Sequence, residues 1–339
     1  MPIFIQGTGS YVPPKVLHNR DIEKILDTSD EWISQRTGIH ERRVAEPTMA
    51  ASDLALEASR SALEMAGKKA EEVELIIMAT ITADTQCPAG ANWLQAKLEA
   101  PRAVTFDIAA ACSGFIFALN VAEQYLKSGT YQNVLVAASE IMTRTLNWKD
   151  RSTAILWGDG AGAALLTGNG DGRRILSTHI HTDGANGANL LLPGGGSKTT
   201  PISHESVDKD LHSLKMIEAS ASVRVAVKHF ADSCLEAVEV NGYSIKDVDW
   251  VIPHQANLRM IQALAKRLDL PMEKFFMTIE KYGNISSASV AIALDEAVRT
   301  GAIQKGHLVL LTAFGGGLTW AAMLMCLGGL SFCEMIDYP

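Results

Sequence analysis

The sequence lacks the features that mark secreted, membrane-spanning and nucleic-acid-binding proteins. It has only 5 cysteines in 339 residues, none spaced as a CxxC motif, and we interpret all five as thiols. The apolar segment at 321–332 is much shorter than the roughly 20 residues that span a bilayer. The N-terminus has neither the basic start nor the apolar stretch of a signal peptide, which predicts a cytoplasmic protein. A net charge of −8 argues against binding to nucleic acid or to an anionic membrane.

The composition and an internal repeat predict a large α/β protein. Hydrophobic residues make up 47% of the chain and charged residues 20%, with 27 glycines, which is typical of a protein with a large buried sheet. Apolar strands at Val73–Ile77 and Val134–Val136 recur about 175 residues later, at Val248–Ile252 and Leu308–Leu310. The repeat indicates two duplicated halves.

We place the boundary between these halves near residue 172, in a glycine-rich stretch. Alternating strands and helices predict mostly parallel sheets flanked by helices, so residues 1–172 and 173–339 would stack as layers in the order α/β/α/β/α. The polar block at 197–213 has no periodicity. It is either a flexible insertion or the wall of a substrate entrance.

The pattern GxGxxA at Gly158–Ala163 invites a dinucleotide-binding interpretation, but the spacing excludes it. A strand is predicted just before it, at Thr153–Trp157. After it, only 161–166 precede the glycine-rich segment Gly168–Gly172, which is too short for the helix that would hold a pyrophosphate. We therefore predict a tight turn between two strands.

Cys112 has the sequence context of a nucleophile at the end of a strand. An apolar strand at Val104–Ile108 is followed by a turn of small residues and by a helical pattern that ends at Gly129. At the N-terminus of that helix, free N–H groups and the helix dipole would stabilise a thiolate and lower its pKa below about 8.5. A buried structural cysteine is the alternative that this residue alone leaves open.

Two polar residues of the second half are candidate partners for Cys112. His254 follows the strand Trp250–Pro253, where a neutral imidazole could face a cleft, although a lone histidine is usually structural. Asn284 precedes a helix near the position that corresponds to Cys112 in the repeat, and taken alone it would be a helix cap. The glycines at 315–317 could form a simple hairpin turn or bring backbone amides to a reacting oxygen.

The sequence predicts no metal site. His179 and His181 lie on an apparent strand without further ligands. The cysteines do not have metal-ligand spacing either.

Several motifs together resemble the β-ketoacyl-[acyl-carrier-protein] synthase III family, the initiating condensing enzymes of the thiolase superfamily. The resemblance covers nearly the whole chain and implies a thiolase-like layered α/β/α/β/α fold. The motifs are Asp27–Ile33 with Arg36–Ile39, Ala111–Gly114, Gly158–Ala163, Pro253–Asn257 and Gly283–Asn284.

The resemblance implies a covalent mechanism. Cys112 would take an acyl group from acyl-CoA, and malonyl-acyl-carrier protein would then decarboxylate and attack it to give a 3-oxoacyl carrier protein. His254 and Asn284 would bind the malonyl thioester oxygen as enolate charge develops, and the N–H groups of Cys112 and Gly316 would form the oxyanion hole. The resemblance implies no cofactor besides these two substrates.

The resemblance also assigns residues that bind CoA. Trp32 and Arg151 would sandwich the adenine, because a flat aromatic ring and a guanidinium plane suit such stacking. Thr28, Arg36 and Asn257 would complete the CoA site.

Other residues bear on the carrier protein and the primer. Arg259, Lys266 and Arg267 fall on one face of the helix after His254, which is either a solvated face or a docking site for an acidic carrier protein. Cys87 stands where the family often has an aromatic residue that caps the acyl pocket across a homodimer interface. A longer or branched primer would therefore fit.

Two segments depart from the family pattern. The stretch 219–223 lacks the Gly and Phe that usually line the pantetheine tunnel, and the tail 328–339 extends beyond the usual end without an assigned role.

The competing interpretations of the function are an acyltransferase of the same fold, a condensing enzyme of secondary metabolism, and a noncatalytic scaffold. The sequence does not identify the primer or the pathway.

Overall fold

The computed structural model describes residues 1–170, 172–197, 202–216 and 219–327. The tail 328–339 and the side chains of 219–223 lie outside the described residues. Within the described part, no helix combines the length and the apolar content that crossing a bilayer requires.

Strands and helices alternate along the described chain. The strands are β1 (Ile3–Tyr11), β2 (Val16–His18), β3 (Glu41–Arg43), β4 (Leu75–Ala79), β5 (Val104–Ile108), β6 (Asn133–Ile141), β7 (Asp159–Thr167), β8 (Arg173–Thr182), β9 (Leu190–Leu191), β10 (Lys215–Met216), β11 (Trp250–Pro253), β12 (Leu308–Gly315) and β13 (Thr319–Leu327). The helices are α1 (Asn19–Ile22), α2 (Asp30–Thr37), α3 (Ala51–Ala66), α4 (Gly90–Leu98), α5 (Gly114–Lys127), α6 (Arg151–Ala154), α7 (His204–Asp208), α8 (Ala219–Glu239), α9 (Leu258–Leu268), α10 (Ile279–Tyr282) and α11 (Ala288–Arg299).

The main sheet repeats one strand order in the two halves of the chain. It has the order β11-β12-β13-β8-β1-β7-β6-β4-β5. Outward from the β1–β8 contact, the first half has β1, β7, β6, β4 and β5, and the second half has β8, β13, β12 and β11. In the second half the position that corresponds to β5 has no strand, and there a single bridge joins Phe275 to Val251 of β11. The matched strands β4 and β11, and β6 and β12, occupy equivalent positions, as the sequence repeat predicts. The boundary at residue 172 stays a prediction.

The prediction of mostly parallel sheets is wrong. β4 pairs in parallel with β5 and β6, and β11 with β12. However, β7 runs antiparallel to both β6 and β1, and β13 runs antiparallel to both β12 and β8. A short turn joins β12 to β13, and the only α-helix between β6 and β7 is the four-residue α6, so neither pair has the long crossover helix that a parallel pair needs.

Separate hydrophobic cores hold the layers together. α3 and α4 cover the first half through residues such as Leu54 and Leu94, and α8 and α9 cover the second half through Phe230 and Ile261. α5 and α11 lie between the halves and contact strands of both. A helix that is apolar on all sides belongs in such a central layer, and every residue of α11 from Ala288 to Asp295 is buried. The predicted α/β/α/β/α layering is confirmed.

The cysteines differ in their chemical state. Cys87 is an exposed free thiol, and Cys112 and Cys234 are buried free thiols. Cys326 is disulfide-bonded, so the prediction that all five cysteines are thiols is wrong. A disulfide depends on which Cα atoms the fold brings within reach, and spacing along the chain does not indicate this.

The glycines at 158–163 serve helix packing. The chain is helical at α6 and enters β7 at Asp159, so both the strand predicted at 153–157 and the tight turn predicted at 158–163 are wrong. A Cβ on Gly162 would lie 2.5 Å from Ala291 Cβ and 2.8 Å from the Ala291 carbonyl carbon. Glycine at this position therefore allows α11 to approach β7 closely.

The Gly162→Ala variant is expected to lose about 2 to 3 kcal/mol of unfolding free energy, because the added methyl group overlaps the backbone of α11 in the central layer. Urea denaturation followed by circular dichroism measures the change. Gly184→Ala is the matched control, since a Cβ there meets nothing within 4 Å. Equal stability of the two variants would show that α11 has room to move away from β7.

Candidate active site

Cys112 lies between a strand and a helix, as predicted. β5 ends at Ile108, a 3-10 turn spans Ala111–Ser113, and α5 begins at Gly114. The side chain is buried, and the thiol donates to Ser286 Oγ with the sulfur 3.7 Å from that oxygen. This contact joins the candidate nucleophile of the first half to the segment that leads into α11 of the second half.

Burial dominates the acidity of Cys112. It raises the pKa of the thiol to about 12, against the lowering effect of the hydrogen bond to Ser286, and the negative charge of Glu140 raises the pKa further. The predicted lowering of this pKa is therefore wrong. The sequence indicates the start of a helix, but it does not indicate how completely the surrounding layers cover the sulfur.

His254 directly follows β11, and its imidazole is buried and neutral. Burial lowers the pKa of His254 to about 3, so the ring carries no charge near pH 7. The backbone N–H donates to Thr312 O at 2.8 Å, and Nδ1 has no partner in the described part of the chain.

Gln255, for which no role was predicted, anchors the loop that follows His254. Its Oε1 accepts from two N–H groups at the start of α10, at 3.0 and 3.1 Å.

Asn284 is held by backbone bonds to the segment before β7. Its N–H donates to Leu156 O at 2.9 Å, and its carbonyl accepts from Gly158 N at 3.0 Å. The side-chain Oδ1 accepts from Ser286 N at 2.9 Å, a local bond of the capping type. This bond fixes the amide plane, so the structural role expected of an isolated Asn coexists with a place in the cavity.

The structure brings Cys112, His254, Asn284 and Gly316 together around one cavity of about 220 Å³. The turn that contains Gly316 joins β12 to β13 as predicted, and a Cβ on Gly315 would lie 2.8 Å from Cys112 N. An apolar cavity with a few convergent polar groups is typical of a substrate site. The apolar lining includes Leu156, Trp157, Leu190, Met216, Met260 and Phe314.

A larger cavity of about 680 Å³ contains most of the predicted CoA-binding residues. Trp32, Arg36, Arg151 and Asn257 line it, and Asn257 also lines the cavity of Cys112, so the larger cavity leads toward the thiol. The guanidinium carbons of Arg36 and Arg151 lie 4.8 and 4.6 Å from the centre of the Trp32 ring. Thr28 is not among its lining residues, although Thr28 Oγ1 is buried without a partner in the described residues.

The predicted docking residues are exposed on α9. Arg259 lines the larger cavity beside Asn257, so it lies at the entrance. Lys266 and Arg267 lie in the last turn of the helix. The guanidinium of Arg267 is 3.7 Å from the Asp232 carboxylate, which reduces the free positive charge of this face.

The predicted polar block at 197–213 is only partly loop, because 204–208 form α7. The residues that flank it pair as β9 and β10, and from these strands Leu190 and Met216 line the cavity of Cys112. Leu214 packs in the same hydrophobic cluster as Cys112. Of the two alternatives, the wall of a substrate entrance is favoured.

A third cavity, of about 330 Å³, borders the loop before Cys112 and shares Leu190 and Gly316 with the cavity of Cys112. Its lining includes Ile81, Ala109–Ala111, Leu192 and Leu214. Cys87, which was predicted to border the acyl pocket, is exposed and does not line this cavity within one chain. The assignment of Cys87 therefore depends on a second subunit and stays a prediction.

His179 and His181 have an acidic partner that the sequence analysis did not find. His179 Nδ1 and His181 Nε2 lie 3.1 and 2.6 Å from the two carboxylate oxygens of Glu236 on α8. The statement that these histidines lack a further potential ligand is therefore wrong. Even so, no group of three or more His, Cys, Asp or Glu within the described ranges is arranged to hold a metal ion.

The polar residues behind Cys112 were not predicted from the sequence. Ser286, Ser287 and Glu140 are fully buried. Glu140 could have been noticed, because it is a charged residue within the apolar strand β6, and such residues are rarely buried without a reason. Ser286 carries no comparable signal, since serine is common in turns.

Comparison with known proteins identifies one family. Residues 106–184 match the family model of 3-oxoacyl-[acyl-carrier-protein (ACP)] synthase III, and residues 238–327 match the model of its C terminal. A β-ketoacyl-[acyl-carrier-protein] synthase III from Caldanaerobacter subterraneus subsp. tengcongensis is 50% identical over 321 residues, which cover 95% of this chain and 96% of the relative.

Solved structures agree with the sequence relatives. The 3-oxoacyl-[acyl-carrier-protein] synthase III from Aquifex aeolicus superposes with a TM-score of 0.87 at 43% identity, covering 96% of this chain and 99% of the other. The priming β-ketosynthase of a polyketide biosynthetic pathway also gives a TM-score of 0.87, at 36% identity, with 96% of each chain covered.

Proposed function

Because the chain belongs to the β-ketoacyl-[acyl-carrier-protein] synthase III family, we propose that Cys112, His254 and Asn284 carry out the reaction of that family in this protein. The protein is a condensing acyltransferase, and the reaction joins an acyl primer to a malonyl unit with loss of carbon dioxide. The assignment of residues rests on one observation: these three side chains, from both halves of the chain, line a single apolar cavity.

In the first half-reaction, Cys112 attacks the thioester carbonyl of acyl-CoA and CoA leaves as its thiol. The N–H groups of Cys112 and Gly316 would hold the oxyanion as the tetrahedral intermediate forms. The close passage of the Gly315–Gly317 turn beside the Cys112 amide supports this role. The acyl chain would extend into the cavity of about 330 Å³ next to the Cys112 loop.

In the second half-reaction, malonyl-acyl-carrier protein loses carbon dioxide and the resulting enolate attacks the acyl group on Cys112. His254 and Asn284 would donate hydrogen bonds to the thioester oxygen, where the enolate charge develops. A neutral imidazole and an amide suit this role in an apolar cavity, because they stabilise charge in the transition state without adding a buried charge to the free enzyme. The His254 pKa of about 3 supports it.

Both substrates would enter along the larger cavity. The adenine of CoA would stack between Trp32 and Arg151 after displacing the Arg151 guanidinium, which lies 4.6 Å from the centre of the Trp32 ring. Arg36 and Asn257 line the cavity through which CoA would pass toward Cys112, and Thr28, which does not line it, would contact CoA at the entrance. The acidic carrier protein would approach the positive face formed by Arg259, Lys266 and Arg267. Of these three residues, Arg259 has the most support as a contact of the carrier protein, because it lies at the entrance of the larger cavity.

The enzyme would act in the cytoplasm as a homodimer. β5 is the last strand of the main sheet, and its first residue, Val104, is 51% exposed. Trp93, on the helix α4 that packs against β5, is 39% exposed. An exposed apolar sheet edge is usually covered, and a second copy of the chain would cover it by continuing the sheet. Cys87 would then complete the acyl pocket of the partner.

The direct test is the intact mass of the enzyme after incubation with acyl-CoAs from acetyl to long chain, followed by addition of malonyl-carrier protein. An acyl adduct that malonyl-carrier protein discharges into a 3-oxoacyl carrier protein is expected, and the panel ranks the primers. An adduct that only an oxygen or nitrogen acceptor discharges would indicate an acyltransferase of the same fold. The absence of any adduct would contradict the covalent mechanism.

Priming of a secondary pathway is the second candidate, because the chain is 36% identical to a priming β-ketosynthase from a polyketide pathway. The chemistry at Cys112 would be the same. The two roles differ in the carrier protein that discharges the acyl-enzyme, so malonyl-loaded carrier proteins of both kinds should be compared in the same assay.

The Trp32→Ala variant is expected to raise the KM for acyl-CoA about 10-fold and to leave kcat within about twofold, because the ring binds adenine far from the reacting carbon. Steady-state kinetics measure both constants. The matched control is an acyl thioester of N-acetylcysteamine, which has no nucleotide and should react equally well with both proteins. Equal losses with the two donors would show that Trp32 supports the fold and does not bind adenine.

A further inference from the structure

The two N–H groups proposed for the oxyanion hole belong to different parts of the fold. Cys112 lies in the 3-10 turn before α5, and Gly316 lies in the turn between β12 and β13. Glycines occupy all of 315–317, and glycine restricts the backbone less than any other residue. An oxyanion hole works because its donors are in position before charge develops. The glycine turn therefore needs contacts outside itself that hold it against the Cys112 loop.

Thr319 provides such contacts on both sides of Cys112. It pairs with Gly315 across the β12–β13 hairpin, at the base of the glycine turn. Its Oγ1 donates to Ala110 O at 3.0 Å, and its backbone O accepts from Ser113 Oγ at 3.1 Å. One contact is two residues before the nucleophile and the other is one residue after it. A single residue of the turn thus holds both ends of the Cys112 loop.

The space between the turn and the loop is filled. Thr319 Oγ1 also lies 3.4 Å from Gly316 O, although its single proton favours the nearer Ala110 O. A Cβ on Gly315 would lie 2.8 Å from Cys112 N and 3.0 Å from Thr319 Oγ1. No side chain fits between these atoms, so the backbone of the turn packs directly against the Cys112 amide.

The hydroxyl of Ser113 is used for this contact and not for capping a helix. Ser113 is the N-cap residue of α5, but it forms no cap bond to the described N–H groups of the first helical turn. A serine at this position usually makes such a bond. Here its hydroxyl donates to Thr319 O instead. Both residues are buried, which strengthens the hydrogen bond because water competes little for its two ends.

We propose that Thr319, together with Ser113, positions the oxyanion hole by fixing the glycine turn against the Cys112 loop, an inference that rests on the function proposed above. Both side chains act through the backbone N–H groups of Cys112 and Gly316, so they are positioning residues. A displacement of one reacting group by about 1 Å can cost about 100-fold in rate. The two hydrogen bonds keep the two donors at a fixed separation, where they bind the thioester oxygen as it becomes negative.

This role predicts a loss confined to one step. The oxyanion hole serves attack of the thiol on a carbonyl, which is acylation. Alkylation of Cys112 by iodoacetamide is displacement at a saturated carbon, so it forms no oxyanion. Decarboxylation of malonyl-carrier protein would depend on His254 and Asn284 instead. A residue that merely supports the fold would affect all three reactions alike.

The Thr319→Val variant replaces the hydroxyl with a methyl group and keeps the shape of the side chain. Ala110 O retains its bond from Ser113 N at 3.1 Å, so no buried carbonyl loses all its partners. We expect the maximal rate of single-turnover acylation to fall about 10- to 100-fold, with the half-saturating acyl-CoA concentration within about twofold. Thr319→Ser restores the hydroxyl and should return the rate to within about threefold of the parent.

Intact mass follows acylation, peptide mass spectrometry follows alkylation, and acetyl-carrier protein reports decarboxylation. In Thr319→Val the last two rates should stay within about threefold of the parent. An unchanged acylation rate, or equal losses in all three reactions, would overturn the proposal. Thr319 also lines the cavity proposed for the acyl chain, so the shortest and the longest acyl-CoA that the parent accepts are compared. A misplaced hole slows both equally, and a loss that depends on chain length would overturn the proposal.

Ser113→Ala is the second variant, because it removes the other hydrogen bond and leaves the Thr319 hydroxyl in place. It should show the same selective loss of acylation, by at least about fivefold, and an unchanged rate would overturn the proposal. Thr167→Val is the matched control. Thr167 is a buried threonine whose hydroxyl donates to Asn169 O at 2.8 Å, and it lines none of the three cavities described above. It should leave all three rates unchanged.

The parent enzyme in the same assays separates this inference from the proposed function. No acyl adduct on the parent with any acyl-CoA would overturn the proposed function and the inference with it. A parent that is acylated, with Thr319→Val and Ser113→Ala acylated at the same rate, would overturn the inference alone. Selective loss in both variants and recovery in Thr319→Ser is the result that we expect.

Discussion

The Cys112→Ala variant will take up no acyl group from acyl-CoA, whereas its decarboxylation of malonyl-carrier protein will persist within about 10-fold. The sulfur is the only atom of this side chain that can form the thioester. His254 and Asn284, which would stabilise the enolate, come from separate elements and remain in the cavity. Intact mass measures acylation, and the conversion of malonyl-carrier protein to acetyl-carrier protein measures decarboxylation.

Cys234→Ala is the matched control for this experiment. Cys234 is also a buried free thiol whose pKa burial raises to about 12, and it contacts a hydroxyl, Thr312 Oγ1, at 3.3 Å. It differs from Cys112 in not lining the cavity. The Cys234 variant should keep both half-reactions. An acyl adduct on Cys112→Ala would place the nucleophile elsewhere in the chain.

The position of the nucleophile could be predicted because it depends on a local pattern. An apolar strand, a turn of small residues and an amphipathic helix follow one another around Cys112, and each is encoded within a short stretch of sequence. The repeat added long-range information, since it placed Asn284 near the position that corresponds to Cys112. His254 could be located by the same logic, because it follows the strand that matches β4.

The acidity of Cys112 could not be predicted, because it depends on the other half of the chain. The helix N-terminus is visible in the sequence, but the cover over the sulfur and the Ser286 hydroxyl come from elements far along the chain. The segment at 158–163 was misread for a related reason. Its glycines look like turn residues, yet Gly160 and Gly162 lie within β7, where α11 from the second half requires a surface without side chains.

These outcomes separate two kinds of information in the chain. Local patterns located Cys112, His254 and Asn284, and the layered fold brings them to one cavity. The protonation states in that cavity follow from burial, which turns a reactive-looking thiol into a weakly acidic one and keeps the histidine uncharged.

The Asn284→Asp variant is expected to become acylated at a rate within about threefold of the parent enzyme but to condense about 100- to 1000-fold more slowly. Aspartate keeps the oxygen that accepts from Ser286 N, so the local structure is preserved. It replaces the donating NH2 group with an oxygen that repels the enolate. Single-turnover experiments separate the two rates: acylation is followed by mass, and discharge is followed after malonyl-carrier protein is added.

The pH dependence of this variant tests the role of the amide further. In an apolar cavity the new carboxyl group should have a raised pKa, so lowering the pH would protonate it and restore a donor, and condensation should recover in part. Asn241→Asp is the matched control, because this amide donates to Ser177 Oγ outside the cavity. Equal losses in acylation and condensation would contradict a role confined to the enolate and would mean that Asn284 acts by holding the Cys112 loop in place.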